Sequence, residues 1–266
     1  MTTKIEWVQN TDGTQGKTWN PITGCSKISE GCTNCFAERI AKRFAGRGRY
    51  PAAPHHFDVT LHRDLFEAPL KWKKPTTVFV CSMSDLFHDD VPNKVLHELL
   101  DVMINTRQHT YQILTKRSKR LAEFWRERAE IHQWGTYDWY PSNIWLGVTV
   151  ENADNLYRID DLLSIQAAVR FASLEPLLAN IDISPYLHRD YLHCGIDWCI
   201  IGAESGSSRR PMKEEWARRI ISQCQQTNTP IFYKQAYENG KKISLPQMDG
   251  QQHIQFPQII DRQNDS

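Results

Sequence analysis

The chain has 266 residues, of which 40% are hydrophobic and 24% are charged, and its formal net charge is +1. This length allows one large α/β domain or two small domains. The near-neutral charge excludes a global attraction to nucleic acid or to an anionic membrane, although a local basic surface is still allowed. No stretch reaches the ~18 consecutive apolar residues of a membrane span, and the amino terminus has no secretory pattern. We therefore expect a cytoplasmic protein with no membrane segment.

A loop rich in cysteine lies in the first third of the chain. The stretch KTWNPITGC, residues 17–25, predicts a first strand that leads into this loop, and CFAERIAKRFAGRG, residues 35–48, predicts a helix after it. Between them, Cys25, Cys32 and Cys35 have the spacing C-x6-C-x2-C. Three clustered cysteines in a reducing compartment favour metal or cluster ligation over disulfides.

The other four cysteines are scattered along the chain. We expect them to be small buried hydrophobic side chains. They are Cys81, Cys194, Cys199 and Cys224.

Three cysteines in one loop suit two kinds of metal site. A structural zinc ion would need a fourth ligand, for which His55, His56, His88 and Cys81 are candidates. A [4Fe–4S] cluster held by three thiolates leaves one iron free for a small-molecule ligand. The spacing alone leaves both sites open, together with the alternative of unligated thiols.

From residue 76 onward, short β-rich runs alternate with segments of helical periodicity. The run TTVFVCS, residues 76–82, predicts a strand, and NKVLHELLDVMINT, residues 93–106, follows with apolar residues at i, i+3 and i+4. Strands separated by helices predict a parallel sheet, closed or open, with right-handed crossovers, in a single domain over residues 1–266. The further predicted strands are 110–115, 142–150, 167–174, 197–203 and 230–234.

Two inserts and a tail interrupt this alternation. Residues 47–75 are dense in Pro, His and basic residues, and residues 132–142 are dense in aromatic residues. Loops this long in a compact domain are usually functional or disordered, and the aromatic content disfavours disorder. The polar tail, about residues 258–266, is expected to fray.

Polar side chains follow the predicted strands at their carboxyl ends. In parallel α/β folds, ligands bind beyond these ends, so the residues placed there are candidates for binding a cofactor. Because the cysteine loop follows the first strand, we expect it to open onto the same edge. The candidates for cofactor binding are Ser82, Asp85, Lys116, Glu151, Glu175 and Glu204.

Several blocks between Trp19 and about Gln235 resemble a phage-associated bacterial family of unknown function that is considered akin to radical S-adenosylmethionine enzymes. The blocks are WNPITGCSKISEGCTNCFAERIAKR, VFVCSMSDLFHDDVP, ILTKRSKRL, NIWLGVTVEN, SLEPLL, IIGAESGSSRRPM and FYKQ. The resemblance implies a partial (β/α)6, TIM-like barrel and a [4Fe–4S] cluster on the three clustered cysteines. It also implies that S-adenosylmethionine binds the open iron, and that an electron donor triggers its cleavage to a 5′-deoxyadenosyl radical.

The resemblance assigns roles to the residues at the strand ends. It implies that carboxylates hold the cofactor's ammonium and ribose groups, and that Lys116 or Arg117 binds its carboxylate or a substrate phosphate. The superfamily's usual loop is C-x3-C-x2-C with an aromatic residue before the last cysteine, whereas here Phe36 follows Cys35. The nearest substitutes for the usual Gly-Gly-Glu triplet are SMSD, residues 82–85, and GAESG, residues 202–206.

The expected function is that of a radical S-adenosylmethionine enzyme, with nucleic acid as the first candidate substrate. Basic clusters at 47–50, 116–120 and 207–213 support this substrate class, together with four aromatic residues in the second insert. The alternatives are a non-enzymatic nucleic-acid or protein-binding module with structural zinc, and a zinc hydrolase that uses His55 and His56. The sequence leaves the oligomeric state open. The four aromatic residues are Trp134, Tyr137, Trp139 and Tyr140.

Overall fold

The computed structural model describes residues 2–132, 140–187 and 195–258. The strands are β1 Lys17–Trp19, β2 Ile22–Thr23, β3 Thr60–Leu61, β4 Thr77–Val80, β5 Thr110–Thr115, β6 Ile144–Thr149, β7 Val169–Leu174, β8 Trp198–Gly202, β9 Ile231–Glu238, β10 Lys241–Ser244, β11 Gln247–Met248 and β12 Gln251–Gln252. The α-helices are α1 Phe36–Arg43, α2 Asn93–Asn105, α3 Ser118–His132, α4 Tyr157–Leu163 and α5 Glu214–Gln226.

Eight of these strands form one sheet, in the order β1-β4-β5-β6-β7-β8-β9-β10. Neighbouring strands are parallel, except that β10 is antiparallel to β9. The strands occur in the sheet in the same order as in the chain. Right-handed crossovers therefore place the connecting helices on the same face of the sheet. The chain is thus a mixed α/β protein built on a mostly parallel sheet.

Successive side chains along the sheet strands pack alternately into two different apolar cores, one on each face of the sheet. On the helix side, Val78, Ile113 and Leu146 belong to a large core that includes side chains of α2, α3, α4 and α5. The opposite face carries a smaller, mainly aromatic core. Because both faces are covered, the strands are nearly continuous apolar runs. The members of the smaller core are Trp7, Val8, Phe79, Trp145, Val169, Phe171, Trp198, Ile200 and Phe232.

The indole of Trp7 shows how strongly the sheet curves. Its ring centroid lies 4.9 Å from that of Phe79 on β4 and 5.9 Å from that of Trp198 on β8. In a flat sheet, four strand spacings of about 4.8 Å would separate these two strands by roughly 19 Å. The inner face therefore wraps around the amino-terminal segment. This curvature brings the carboxyl ends of distant strands toward one another, at the edge that we call the rim.

The predicted alternation of strands and helices after residue 76 is confirmed. The predicted first strand is divided, because Pro21 lacks the N–H that would continue the ladder after β1, and β2 pairs instead with β3. The sequence analysis missed β10, which forms a hairpin with β9. The two residues between them, Asn239 and Gly240, both have positive φ, at 48° and 77°. Two such residues suit the tight turn of a two-residue hairpin.

The two inserts differ in how much of them is described. Insert 47–75 is fully described and contains β3 and two short 3₁₀ turns. The aromatic insert lies outside the described residues except for 132 and 140–142, and so do the tail beyond 258 and Cys194. Cys81, Cys199 and Cys224 are buried, as predicted. Within the described ranges, no helix is long and apolar enough to cross a membrane.

Candidate functional site

The cysteine loop, residues 24–36, lies across the carboxyl ends of four strands of the sheet. It begins beside the end of β4 and ends beside the segment that follows β8. Gly24 forms a β-bridge with Ser84, which follows β4. Further along the loop, Ser26 is hydrogen-bonded to Arg117 after β5, and Ser29 is hydrogen-bonded to Glu151 after β6. Near the end of the loop, Asn34 is hydrogen-bonded to Glu204 after β8. The loop therefore lies at the edge that the sequence analysis predicted.

Gly24 fixes the point at which this loop leaves the sheet. Its φ is +87°, and a Cβ there would overlap the backbone carbonyl of Asp58 and lie 2.7 Å from the carbonyl oxygen of Phe57. The N–H of Gly24 donates to the carbonyl of Met83 at 3.0 Å, and the N–H of Cys25 donates to the carbonyl of Phe57 at 3.0 Å. Only glycine fits this position. The first cysteine therefore starts from a defined backbone position.

Arg117 connects Cys25 to the buried carboxylate of Asp85. Its Nη1 donates to Cys25 Sγ at 3.5 Å and to Asp85 Oδ2 at 3.3 Å, while its Nη2 donates to Ser26 Oγ at 2.9 Å. Burial raises the pKa of the Cys25 thiol to about 11; Asp85 adds to this rise and Arg117 opposes it. A buried guanidinium therefore stands beside the first cysteine and offsets part of the cost of a thiolate there.

Protein donors already occupy both carboxylate oxygens of Asp85. Its Oδ1 accepts hydrogen bonds from Phe87 N at 3.0 Å and from Thr115 Oγ1 at 2.6 Å. Its Oδ2 accepts from Lys116 N at 3.1 Å as well as from Arg117. In this geometry Asp85 holds the turn after β5 in place and orients Arg117.

Cys32 and Cys35 lie on the second half of the loop. The Oγ of Ser29 is 3.8 Å from Cys32 Sγ, and Cys35 immediately precedes the first residue of α1. A hydrogen bond to Glu38 raises the pKa of Lys27, and the nearby Cys35 and Cys32 raise it further. Both cysteines therefore lie near the ammonium group of Lys27. Like Cys25, both are partly exposed free thiols.

No ready-made site for a single metal ion is present in the described part of the chain. No group of three or more His, Cys, Asp or Glu side chains gathers there closely enough to hold one ion. The candidate fourth zinc ligands have other surroundings. His88 Nε2 is hydrogen-bonded to Ser26 Oγ at 2.7 Å, His55 Nδ1 lies 2.7 Å from a carboxylate oxygen of Asp58, and burial raises the pKa of Cys81 to about 12.

Glu151 anchors the centre of the loop through a buried ion pair. Its Oε2 accepts a hydrogen bond from Arg158 Nη1 at 2.7 Å, and the two side chains are 0% and 1% exposed. Its Oε1 accepts a hydrogen bond from the hydroxyl of Ser29. Gly31 packs on the same carboxylate, because a Cβ there would overlap Oε1. Both oxygens of Glu151 are therefore used by the protein.

Glu204 anchors the end of the loop through Arg210 and Asn34. Its Oε2 accepts from Arg210 N at 2.7 Å, Arg210 Nε at 3.0 Å and Asn34 Nδ2 at 3.0 Å. Burial by itself would raise the pKa of Glu204, but the hydrogen bonds from Arg210 and Asn34 outweigh it and lower the pKa. Arg210 Nη1 also donates to Glu30 on the loop at 3.2 Å. These contacts tie the segment after β8 to the cysteine loop.

The other three predicted cofactor ligands are partly exposed at the rim. Ser82 Oγ donates to Asn20 Oδ1 at 3.1 Å, and Glu175 forms an ion pair with Lys234 at 2.5 Å. The ammonium group of Lys116 has no hydrogen bond or ion pair with any described residue. The structure therefore divides the six candidates: Asp85, Glu151 and Glu204 are buried and accept protein hydrogen bonds on both carboxylate oxygens, while Ser82, Lys116 and Glu175 are partly exposed.

A family model described as "Protein of unknown function (DUF5131)" matches residues 2–257. The chain belongs to the DUF5131 family. No curated protein and no solved structure matches it. The match covers the whole sheet and the cysteine loop, and its description states no activity.

The sequence analysis missed several residues that hold the loop of this DUF5131 chain. Arg158 had a detectable signal, because it lies beside Ile159 on the buried face of α4, where a lone cation requires a partner. Arg210 belongs to the basic cluster 207–213, which the sequence predicts as a nucleic-acid contact. Ser29 and Asn34 gave no signal, since their partners are more than one hundred residues away in the chain.

Proposed function

We propose that Cys25, Cys32 and Cys35 hold a [4Fe–4S] cluster and that the chain is a radical S-adenosylmethionine enzyme. The observation that carries this proposal is the position of three free thiols on one loop held over the carboxyl ends of the strands. The curvature of the sheet around Trp7 supports a partial (β/α)6 barrel with this loop at its opening. The cluster, with bound S-adenosylmethionine and an external electron donor, would supply radical chemistry that side chains do not provide.

The donor set fits a cluster with one open position. A [4Fe–4S] cluster commonly takes four protein ligands, one on each iron, so three thiolates leave one iron without a protein ligand. Each thiolate of such a cluster binds a different iron, so these sulfurs lie farther apart than the sulfurs around a single zinc ion, with its Zn–S bonds of about 2.3 Å. Cys25, Cys32 and Cys35 are all free of disulfides and supply the three thiols that such a cluster needs.

The chain's own residues would hold the loop, balance its charge and bind the ligand. Arg117 offsets part of the cost of a buried thiolate at Cys25, and Cys35 directly precedes α1. Lys116 is the candidate for binding a carboxylate or phosphate group. Glu175 and Ser82 are the candidates for accepting hydrogen bonds from an ammonium or hydroxyl group. Asp85, Glu151 and Glu204 position the loop.

Metal analysis tests this proposal. Anaerobic reconstitution with iron and sulfide should give about four irons per chain. Cys32→Ala should lose most of this iron, because the cluster would retain only two thiolate ligands. The matched control is Cys224→Ala, which removes a thiol from the buried face of α5 and should leave the iron content unchanged. One tightly bound zinc per chain and no iron would rule the proposal out.

The alternative is a non-enzymatic nucleic-acid or protein-binding module with structural zinc. The observation that favours it is the hydrogen bond between His88 Nε2 and Ser26, the residue next to Cys25. His88 is thus a candidate for the fourth ligand. If the same metal analysis finds zinc in the unchanged protein and none in His88→Ala, zinc replaces the cluster. Salt-dependent binding of oligonucleotides without any hydrolysis then separates the binding module from a zinc hydrolase.

A further inference from the structure

Positive charge is concentrated in the segment that follows the cysteine loop. Residues 39–57 contain Arg39, Lys42, Arg43, Arg47 and Arg49 and no acidic residue, although the whole chain has nearly equal numbers of basic and acidic residues. Arg49 pairs with Asp64. The other four cations form no ion pair with the residues that the structure describes. An unbalanced charge of this kind creates a local attraction for polyanions despite the near-neutral chain.

Exposed aromatic rings lie among these cations. Phe36, at the start of α1, is 55% exposed, and Phe44, just after its end, is 41% exposed. The rings of Phe44 and Tyr50 stack with centroids 6.4 Å apart and an angle of 22° between their planes. The guanidinium of Arg43 lies 5.7 Å from the centre of the Phe44 ring. We define the α1 surface as Phe36, Lys42, Arg43, Phe44, Arg47 and Tyr50.

The α1 surface is continuous with the cysteine loop. Cys35 directly precedes α1, and Lys27 of the loop forms an ion pair with Glu38 of the helix at 2.9 Å. The guanidinium of Arg39 lies against Gly206, in the segment that follows β8, so closely that a Cβ at Gly206 would overlap it. The end of the α1 surface at Phe36 is therefore next to Cys35.

In the two other basic clusters of the sequence, the arginines make contacts within the protein, whereas Lys119 and Lys213 stay exposed. In cluster 116–120, Arg117 is buried against Asp85, and Arg120 donates to the backbone carbonyls of His88 and Val91. In cluster 207–213, Arg210 pairs with Glu204. In the same cluster, Arg209 lies 3.9 Å from the centre of the Tyr237 ring and donates to Gly240. Residues 47–50 differ from these two clusters because they join exposed cations to the stacked rings of Phe44 and Tyr50.

We propose that the α1 surface binds single-stranded nucleic acid. Cations that alternate with exposed rings match a chain of phosphates that carries flat, unpaired bases, because bases stack on aromatic side chains and on arginine. An acidic protein would also use the cations, but it offers no regular series of flat bases to stack on the rings. The inference deepens the proposed function by naming the substrate class of the same site, and it rests on that function only for the chemistry that follows binding.

Binding can be measured on the intact protein, with and without reconstituted iron. The probes are fluorescein-labelled single-stranded DNA and RNA of one sequence, a duplex of the same length, and an abasic phosphate backbone of that length. Arg43→Gln combined with Arg47→Gln should weaken single-strand binding about tenfold and reduce the salt slope by roughly two phosphate contacts. Phe44→Leu, which removes the ring and keeps an apolar side chain, should weaken it by about tenfold.

The matched control removes two exposed cations from α3, through Lys119→Gln combined with Arg126→Gln, and should leave binding unchanged. Equal weakening by this control would overturn the assignment to the α1 surface. Equal affinity for the abasic backbone and the single strand would overturn the nucleic-acid assignment in favour of a general polyanion site, such as one for an acidic protein. This test does not depend on the iron–sulfur cluster. If iron-free protein binds single strands at the α1 surface, the inference is supported even when the metal analysis finds no iron.

Discussion

Replacement of Glu151 by alanine should lower the free energy of unfolding by about 3–5 kcal/mol, because it leaves the buried guanidinium of Arg158 without its carboxylate. The change also removes the acceptor of the Ser29 hydroxyl and so frees the centre of the cysteine loop. Denaturation in urea measures the effect. The double variant Glu151→Leu and Arg158→Met should recover part of the loss, since it removes both charges together.

The comparison variant is Glu214→Ala, which breaks an exposed ion pair with Arg218 on α5. These side chains are 70% and 45% exposed, so we expect a loss below about 1 kcal/mol. The sequence analysis predicted Glu151 as a cofactor ligand, and in the structure its buried carboxylate accepts hydrogen bonds from Ser29 and Arg158. If Glu151→Ala lowered the free energy of unfolding no more than Glu214→Ala does and yet abolished cofactor binding, the anchoring role of Glu151 would be wrong.

Gly24→Ala should have the second large effect. A left-handed backbone costs an alanine about 1–2 kcal/mol, and the collision of its Cβ with the carbonyl of Asp58 adds a packing cost of about 1–3 kcal/mol. The neighbouring backbone must then move, and Cys25 moves with it. We therefore expect lower stability in urea together with lower iron uptake on reconstitution.

Gly13→Ala separates the cost of the left-handed backbone from the cost of the collision between the Cβ and Asp58. Gly13 has a similar φ of +78°, and a Cβ there would meet no atom within 4 Å. This variant should lose only the stability that the strained backbone costs, and its iron uptake should be normal. If Gly24→Ala and Gly13→Ala lost the same stability in urea and took up the same amount of iron, contact with Asp58 would not fix the start of the cysteine loop.

The sequence predicts the position of the site better than its internal contacts. Strands that alternate with helices imply a parallel sheet, and the carboxyl ends of parallel strands share one edge, so the location of Cys25 and of the strand-end carboxylates follows from chain order alone. The missed hairpin at Asn239 and Gly240 also had a recognisable signal, because an Asn-Gly pair favours a two-residue turn.

The partners of each carboxylate could not be predicted in the same way. Glu151, Glu175 and Glu204 all follow strands and look equivalent in sequence. In the structure, Glu151 meets a cation from the buried face of α4, Glu204 meets Arg210 six residues later, and Glu175 meets Lys234 across the rim. These differences depend on how the loop and helices pack, which local patterns do not encode.

The most direct test of the central claim is the electron paramagnetic resonance spectrum of the reconstituted, reduced protein before and after addition of S-adenosylmethionine. The claim is that three thiolates from one loop leave one iron open at the rim. The account predicts a cluster signal that changes when S-adenosylmethionine binds this iron. A fully loaded cluster whose spectrum stays the same at saturating S-adenosylmethionine would contradict it.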